Sequence, residues 1–231
     1  MNTEAKTLII VAGGSGTRMK SAIPKQFIEI DGIPIIFHTI DCFTRVYNNI
    51  QLIIALPANE FERWERLCKA HSFTFPHSLA KGGKTRFHSV KSALSACKPE
   101  GTIAVHDSVR PLVSKQTITM GFEMASKKGS AIPVTDLKES LRKHTDSANM
   151  QVNRSEYKIV QTPQVFNAQK LISAYKQDFS NEFTDDASVF EKAGNPIYTY
   201  PGNDENIKIT TPVDLELFRI LYKKNPGNCS K

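Results

Sequence analysis

The chain predicts an α/β fold built on a largely parallel sheet, and two observations carry that expectation. Short, fully apolar runs rich in β-branched residues mark strands buried on both faces, and segments with apolar residues at helical spacing separate them. Such a β-α-β-α order favours parallel pairing. The first run, Leu8-Ile9-Ile10-Val11-Ala12, ends at Gly13-Gly14 and reads as a central strand. Ile36, Ile40 and Phe43 then fall on one helix face, followed by a second strand, Leu52 to Leu56, stopped by Pro57. Phe61, Trp64, Leu67 and Cys68 mark another helix, and Val90, Ala93, Leu94 and Cys97 a third. Strands follow at Ile103-Ala104-Val105 and Ala131-Ile132-Pro133-Val134, and Ile207-Lys208-Ile209-Thr210 is strand-like. Thr211 has the character of an N-cap, with Pro212 at the first helical position and Asp214 in the first turn. Leu215, Phe218, Ile220 and Leu221 carry that last helix, and the tail from Asn225 to Lys231 reads as frayed. Residues 136–160 break the pattern: they are polar, charged and turn-rich, and read as a protruding arm or hairpin on a single domain spanning 1–231.

The 231 residues suit one large domain or two small ones. Hydrophobic residues at 40% and charged residues at 23% describe an ordinary globular chain, which excludes a disordered tail, a collagenous chain and a coiled-coil rod. No apolar window approaches the ~18 residues of a membrane span, and the N-terminus lacks the order of a secretion signal. Cys42, Cys68, Cys97 and Cys229 form no CxxC pair, so zinc or redox chemistry is not expected, and buried thiols in a reducing cytoplasm are. Lys and Arg exceed Asp and Glu by 30 to 23, a charge of +7 that suits either nucleic acid or small polyphosphate substrates. The absence of any run of five or more Lys/Arg weakens the first of these.

Ligands of parallel sheets bind beyond the carboxyl ends of strands, so the chemistry is expected after Ala12, Val105 and Val134. Gly13-Gly14-Ser15-Gly16-Thr17-Arg18 follows the first strand as a phosphate loop should, its glycines letting backbone N–H groups approach an anion. Neither a P-loop nor a dinucleotide fingerprint fits, because Met19 stands where each needs glycine. Arg18 and Lys25 supply full positive charge beside the loop, as a reaction that builds charge on phosphate requires; a surface lysine on a Pro turn is the alternative for Lys25. Asp107 ends an apolar strand, where a carboxylate could hold Mg²⁺ against nucleotide phosphates or simply close a turn with Arg110. His106 reads as a packed or turn histidine.

Seven blocks then occur in an order shared with one family: Ala12 to Met19, Pro24-Lys25-Gln26, Gly82 to Val90, His106 to Pro111, Gln161-Thr162-Pro163-Gln164, Thr184 to Ser188 and Asn206 to Thr210. The chain resembles the 2-C-methyl-D-erythritol 4-phosphate cytidylyltransferases of the non-mevalonate isoprenoid pathway over roughly residues 7–222. The resemblance implies a three-layer α/β/α nucleotidyltransferase fold, Rossmann-like, with an arm exchanged across a homodimer. It implies that Arg18 and Lys25 stabilise the transition state at the α-phosphate of CTP. Ala12, Gly13, Gly14, Ser15, Gly16 and Ser108 would belong to the nucleotide site, with Gly83 and Ser89 at cytosine and ribose and Arg86 nearby. Asp107 would be the Mg²⁺-linked acid. Arg154 and Lys208 would hold the methylerythritol phosphate, in a pocket lined by Thr162, Thr184 and Asp136, with Arg154 reaching the partner subunit's site.

This sequence departs from the commonest pattern at Ala12-Gly13-Gly14, which also occurs in the sister group acting on ribitol 5-phosphate, at Leu137 and at Asp186. The expected reaction is CMP transfer from CTP to methylerythritol phosphate, with no general base, because a phosphomonoester attacks already ionised. The same chemistry on ribitol 5-phosphate is the nearest rival, and an inactive nucleotide sensor or nucleic-acid binder is the reading from another class. No nucleic acid and no membrane are expected as partners.

Overall fold

The computed structural model describes residues 4–13 and 23–224. The apolar runs form the strands they predict: β1 (Lys6–Val11), β4 (Gln51–Leu56), β6 (Thr102–Asp107) and β7 (Ser130–Asp136). A two-stranded ribbon, β2 (Glu29–Ile30) and β3 (Ile33–Pro34), precedes α1 (Ile35–Thr44). Between the other sheet strands run α2 (Phe61–Ala70), β5 (His77–Lys81), α3 (Arg86–Leu94) and α4 (Lys115–Lys128). After β7 come a hairpin of β8 (Arg142–Thr145) and β9 (Ala148–Gln151), then β10 (Lys158–Val160) and β11 (Gln164–Asn167). The chain closes with α5 (Ala168–Ala174), α6 (Asp186–Lys192), β12 (Thr199–Pro201) and α7 (Pro212–Lys224).

The main sheet has eight strands in the order β10-β7-β11-β6-β1-β4-β5, with β12 added against β7. β1 pairs in parallel with both β4 and β6, β4 with β5 and β7 with β12, while β10 and β11 run antiparallel to their neighbours. Alternation along each strand divides the core between two faces. Leu8, Ile10, Leu52, Ile54 and Ala104 pack with α1, α2 and α4 through Phe43, Trp64 and Phe122. Ile9, Ile53, Ile103 and Val105 pack with α3, α5 and α6 through Phe87, Leu171 and Phe190. The result is the three-layer α/β/α arrangement. A smaller cluster of Ile30, Ile35, Val109, Leu112, Ile209 and Phe218 seats α7 beside the carboxyl edge of the sheet.

Several local expectations need correction. Ile207-Lys208-Ile209-Thr210 is not a strand. It is a loop tied to the end of β6 by the Ile209 amide donating to the Val109 carbonyl (2.9 Å), with Ile209 fully buried. Cys97 lies beyond the end of α3, and of the described thiols Cys42 is buried while Cys68 and Cys97 are only partly so. Burial pushes the Cys68 and Cys97 thiols up to about 11 and about 12, which leaves them unreactive. Asp136 and Lys158–Val160 pair at the exposed edge of the main sheet, and 137–157 runs between them. Asn225 to Lys231 lies outside the described residues.

Candidate active site

The carboxyl ends of β1, β5 and β6 open onto a cleft of about 390 Å³, whose walls include Gly13, Lys25, Gly83, Thr85, Ser89, Ser108 and Lys208. Backbone and side chain are locked together here. Gln26 is buried and donates to the Ala12 carbonyl (2.8 Å), tying the turn before β2 to the end of β1. Ser89 Oγ accepts from the Gly83 amide (3.0 Å) and donates to the Thr85 carbonyl (3.1 Å). Gly83 is obligatory, because a Cβ there would lie 2.3 Å from His88 Cβ and 3.0 Å from the His88 carbonyl carbon. Thr85 caps α3 and puts Arg86 in its first turn, facing the cleft.

A second chamber of about 260 Å³ adjoins the first and is lined by Arg110, Gln161, Thr162, Gln164, Thr184 and Asp185. Arg86, Asp107 and Lys208 line both chambers and form the wall between them. Asp107 Oδ2 meets Lys208 Nζ at 3.0 Å and Arg110 Nε at 3.2 Å, and Oδ1 lies 3.7 Å from Arg86 Nε. Burial by itself raises the pKa of Asp107; Arg86, Lys208 and Arg110 outweigh it and hold the carboxyl well below the usual range. Arg86 also pairs with the fully buried Asp186 (2.5 Å). The wall thus sets two cations, Arg86 and Lys208, against the one carboxylate of Asp107 and stays cationic, with Lys25 added on the first chamber's side.

Behind the wall, His106 is fully buried, and its desolvation pulls the imidazole down to about 3, so it is neutral. Its Nε2 faces the Arg110 carbonyl (3.1 Å), which can only accept, so Nε2 carries the proton. Nδ1 then accepts from the Thr162 hydroxyl (3.0 Å), whose oxygen accepts the Asp107 amide (3.2 Å). Thr162 therefore stands in the second chamber's wall with its hydroxyl engaged inward. Asn206 completes the frame by donating to the Thr162 carbonyl (2.8 Å) and accepting from Arg110 through its own carbonyl (2.7 Å).

Of the residues singled out in the sequence, Gly13, Lys25, Gly83, Arg86, Ser89, Asp107, Ser108 and Lys208 come together at the first chamber, and Thr162 and Thr184 at the second. Ala12 lies beneath the first as backbone support. Gly14, Ser15, Gly16 and Arg18 lie outside the described residues. Arg154 and Asp136 line neither chamber: Arg154 donates to the Lys138 carbonyl (2.5 Å) on the exposed segment, and Asp136 pairs with Lys158. Arg110, Gln161, Gln164 and Asp185 also line the second chamber and are not among the expected site residues, although all four sit inside the quoted blocks and Arg110 is there read as a turn partner of Asp107.

A mostly parallel α/β/α sheet with a cationic double chamber at its carboxyl edge fits a nucleotidyltransferase-type protein. Comparison with known proteins makes the class particular. The family model of 2-C-methyl-D-erythritol 4-phosphate cytidylyltransferase matches residues 7–223. Curated proteins of that name from Bacteroides thetaiotaomicron and Bacteroides fragilis are each 47% identical, over 92% and 94% of this chain and 97% and 99% of their own lengths. The crystal structure of the enzyme of that name from Thermus thermophilus superposes with a TM-score of 0.74 at 26% identity, covering 94% of this chain and 98% of its own. The chain belongs to the 2-C-methyl-D-erythritol 4-phosphate cytidylyltransferase family.

Proposed function

We propose that this protein transfers the cytidylyl group of CTP to the phosphate of 2-C-methyl-D-erythritol 4-phosphate and releases pyrophosphate. The observation that carries this reading, beside family membership, is the cationic wall of Arg86, Asp107 and Lys208 shared by two adjoining chambers. The nucleotide occupies the first, its base and ribose toward Gly83 and Ser89 and its triphosphate beside Gly13 and Lys25. The polyol phosphate occupies the second, against Lys208, Arg110 and Thr184. An ionised phosphate oxygen of the polyol attacks the α-phosphorus, the bond from that phosphorus to the bridging oxygen breaks, and pyrophosphate leaves with the electron pair. Lys25, together with Arg18, stabilises the charge that builds on the α-phosphate and the leaving group. Holding two anions together against their repulsion is the main task, and a fixed cationic wall performs it.

A Mg²⁺ ion does not fit Asp107 as it stands. Both carboxylate oxygens already face cations, and among the described residues no group of three or more His, Cys, Asp or Glu could hold a metal. Any Mg²⁺ brought in with CTP would have to draw its ligands chiefly from the nucleotide, and the chain's contribution beside it would be cationic side chains.

Arg154 acts in the second chamber of a partner subunit, so the working form is a homodimer with exchanged arms. Support comes from its position outside both chambers of its own chain and from the exposed Met150, Tyr157 and Ile159 on and beside the arm. A cytoplasmic location matches a reaction that draws on CTP; among the described residues no helix is long and apolar enough to cross a membrane. Purified protein given CTP with either methylerythritol phosphate or ribitol 5-phosphate, and assayed for pyrophosphate, tests the reading. Faster release with methylerythritol phosphate is expected, and a preference for ribitol 5-phosphate overturns it.

A further inference from the structure

Asp186 lines neither chamber, yet it is fully buried and both its oxygens are engaged toward the site. Oδ2 accepts from Arg86 Nη2 (2.5 Å) and Oδ1 accepts from the Tyr175 hydroxyl (2.6 Å). Tyr175, at the end of α5, stacks its ring on Phe87 with centroids 4.8 Å apart and planes 22° apart. Phe87 follows Arg86 in the chain, so Arg86, Asp186, Tyr175 and Phe87 form a closed loop of contacts joining α3, α5 and α6. Asp186 itself is fixed at the start of α6 by a capping box between Asp185 and Ser188. On the site side, Asp107 approaches Arg86 only to 3.7 Å, so the tighter hold comes from behind. An arginine without such a hold has wide rotamer freedom. A buried carboxylate with two strong donors removes that freedom and leaves the other face of the guanidinium to the chambers.

We propose that Asp186 and Tyr175 are positioning residues that clamp Arg86 as the shared wall, so that both substrates are registered against one fixed guanidinium. The inference rests on the reading that the two chambers hold the two substrates. It separates this pair from residues of one chamber only, whose loss changes the handling of one substrate.

The test is steady-state kinetics on the full chain, varying CTP and methylerythritol phosphate in turn with the other saturating, alongside thermal melts. Asp186→Asn is expected to raise both KM values by about tenfold or more, with kcat falling by less. Tyr175→Phe keeps the ring stack on Phe87 and is expected to raise both KM values by a few-fold, on the order of the loss of one hydrogen bond. Thr184→Ala, in the second chamber alone, should move only the KM for the polyol phosphate. If Asp186→Asn does not accumulate as folded protein, Tyr175→Phe decides alone. Folded variants that leave either KM at the wild-type value, or lower kcat alone, overturn the clamp. A wild-type protein that turns over neither substrate pair instead overturns the functional reading beneath it.

Discussion

The wall between the chambers and the arm at 137–157 carry charge in opposite ways. In and behind the wall, Asp107, Arg110 and Asp186 have side chains at most 12% exposed, and the first and last of these hold Lys208 and Arg86. On the arm and at its base, the ion pairs Lys138–Asp204 and Lys158–Asp136 lie in solvent, with every side chain about half exposed or more. Buried groups so paired hold their geometry before any ligand arrives, whereas solvent screens the arm's pairs and they fix little. The wall is therefore prebuilt within one chain, whereas in the proposed dimer the arm's conformation is set by what it docks against.

The largest effect should come from the prebuilt side. Lys25→Ala is expected to lower kcat by at least ~10²-fold with a modest change in CTP KM, as for an interaction made mainly in the transition state. A kcat within a few-fold of wild type removes Lys25 from the chemistry. The wall should also show itself in stability. His106 has a folded pKa depressed to about 3, so between pH 6.5 and 3 the unfolded chain binds a proton that the folded chain refuses. Its contribution is thus complete above the unfolded pKa and declines as pH falls, by about 2 kcal/mol between pH 7 and pH 5. His38, lowered by burial, acts in the same direction, whereas the stability from the depressed Asp107 is complete above about pH 4 and is lost only below it, where unfolded carboxylates protonate. Urea titrations at the two pH values check this, and a flat or rising stability contradicts it.

The arm should respond differently. Arg154→Ala is expected to raise the KM for the polyol phosphate by about tenfold, as for a lost charged contact, and to leave the KM for CTP unchanged. A change in CTP KM alone would show that the two pockets have been assigned the wrong way round. The smallest effect belongs to the hairpin. Arg142 donates to Asn149 through Nε (2.6 Å) and Nη2 (2.9 Å) in full exposure. Arg142→Ala should shift stability by no more than about 0.5 kcal/mol in a thermal melt. A larger loss would place Arg142 itself in a packed contact and would turn the contrast into one between two tightly held regions.

Much of the fold was legible because its central strands are short apolar runs and its first helices have clear faces. The helices α4, α5 and α6 were not, for identifiable reasons. In α4, Gly121 interrupts the pattern because a Cβ there would lie 2.6 Å from the Tyr200 hydroxyl oxygen. α5 and α6 have only seven residues each, too short for periodicity to speak. Ile207 to Thr210 looked like a strand because alternation also suits a loop that buries Ile209 beside β6. The site was legible as motifs but not as a network. Nothing local in the sequence tells that Arg86 meets an aspartate 100 positions away, or that Thr162 turns its hydroxyl toward His106.

The most direct measurement is a crystal structure with the reaction product, CDP-methylerythritol, bound. Its cytidine should lie against Gly83 and Ser89, its diphosphate should straddle Arg86 and Lys208, and its polyol should extend toward Thr184. A product lying wholly within one chamber, or bound away from the Arg86–Asp107–Lys208 wall, would contradict the two-chamber arrangement.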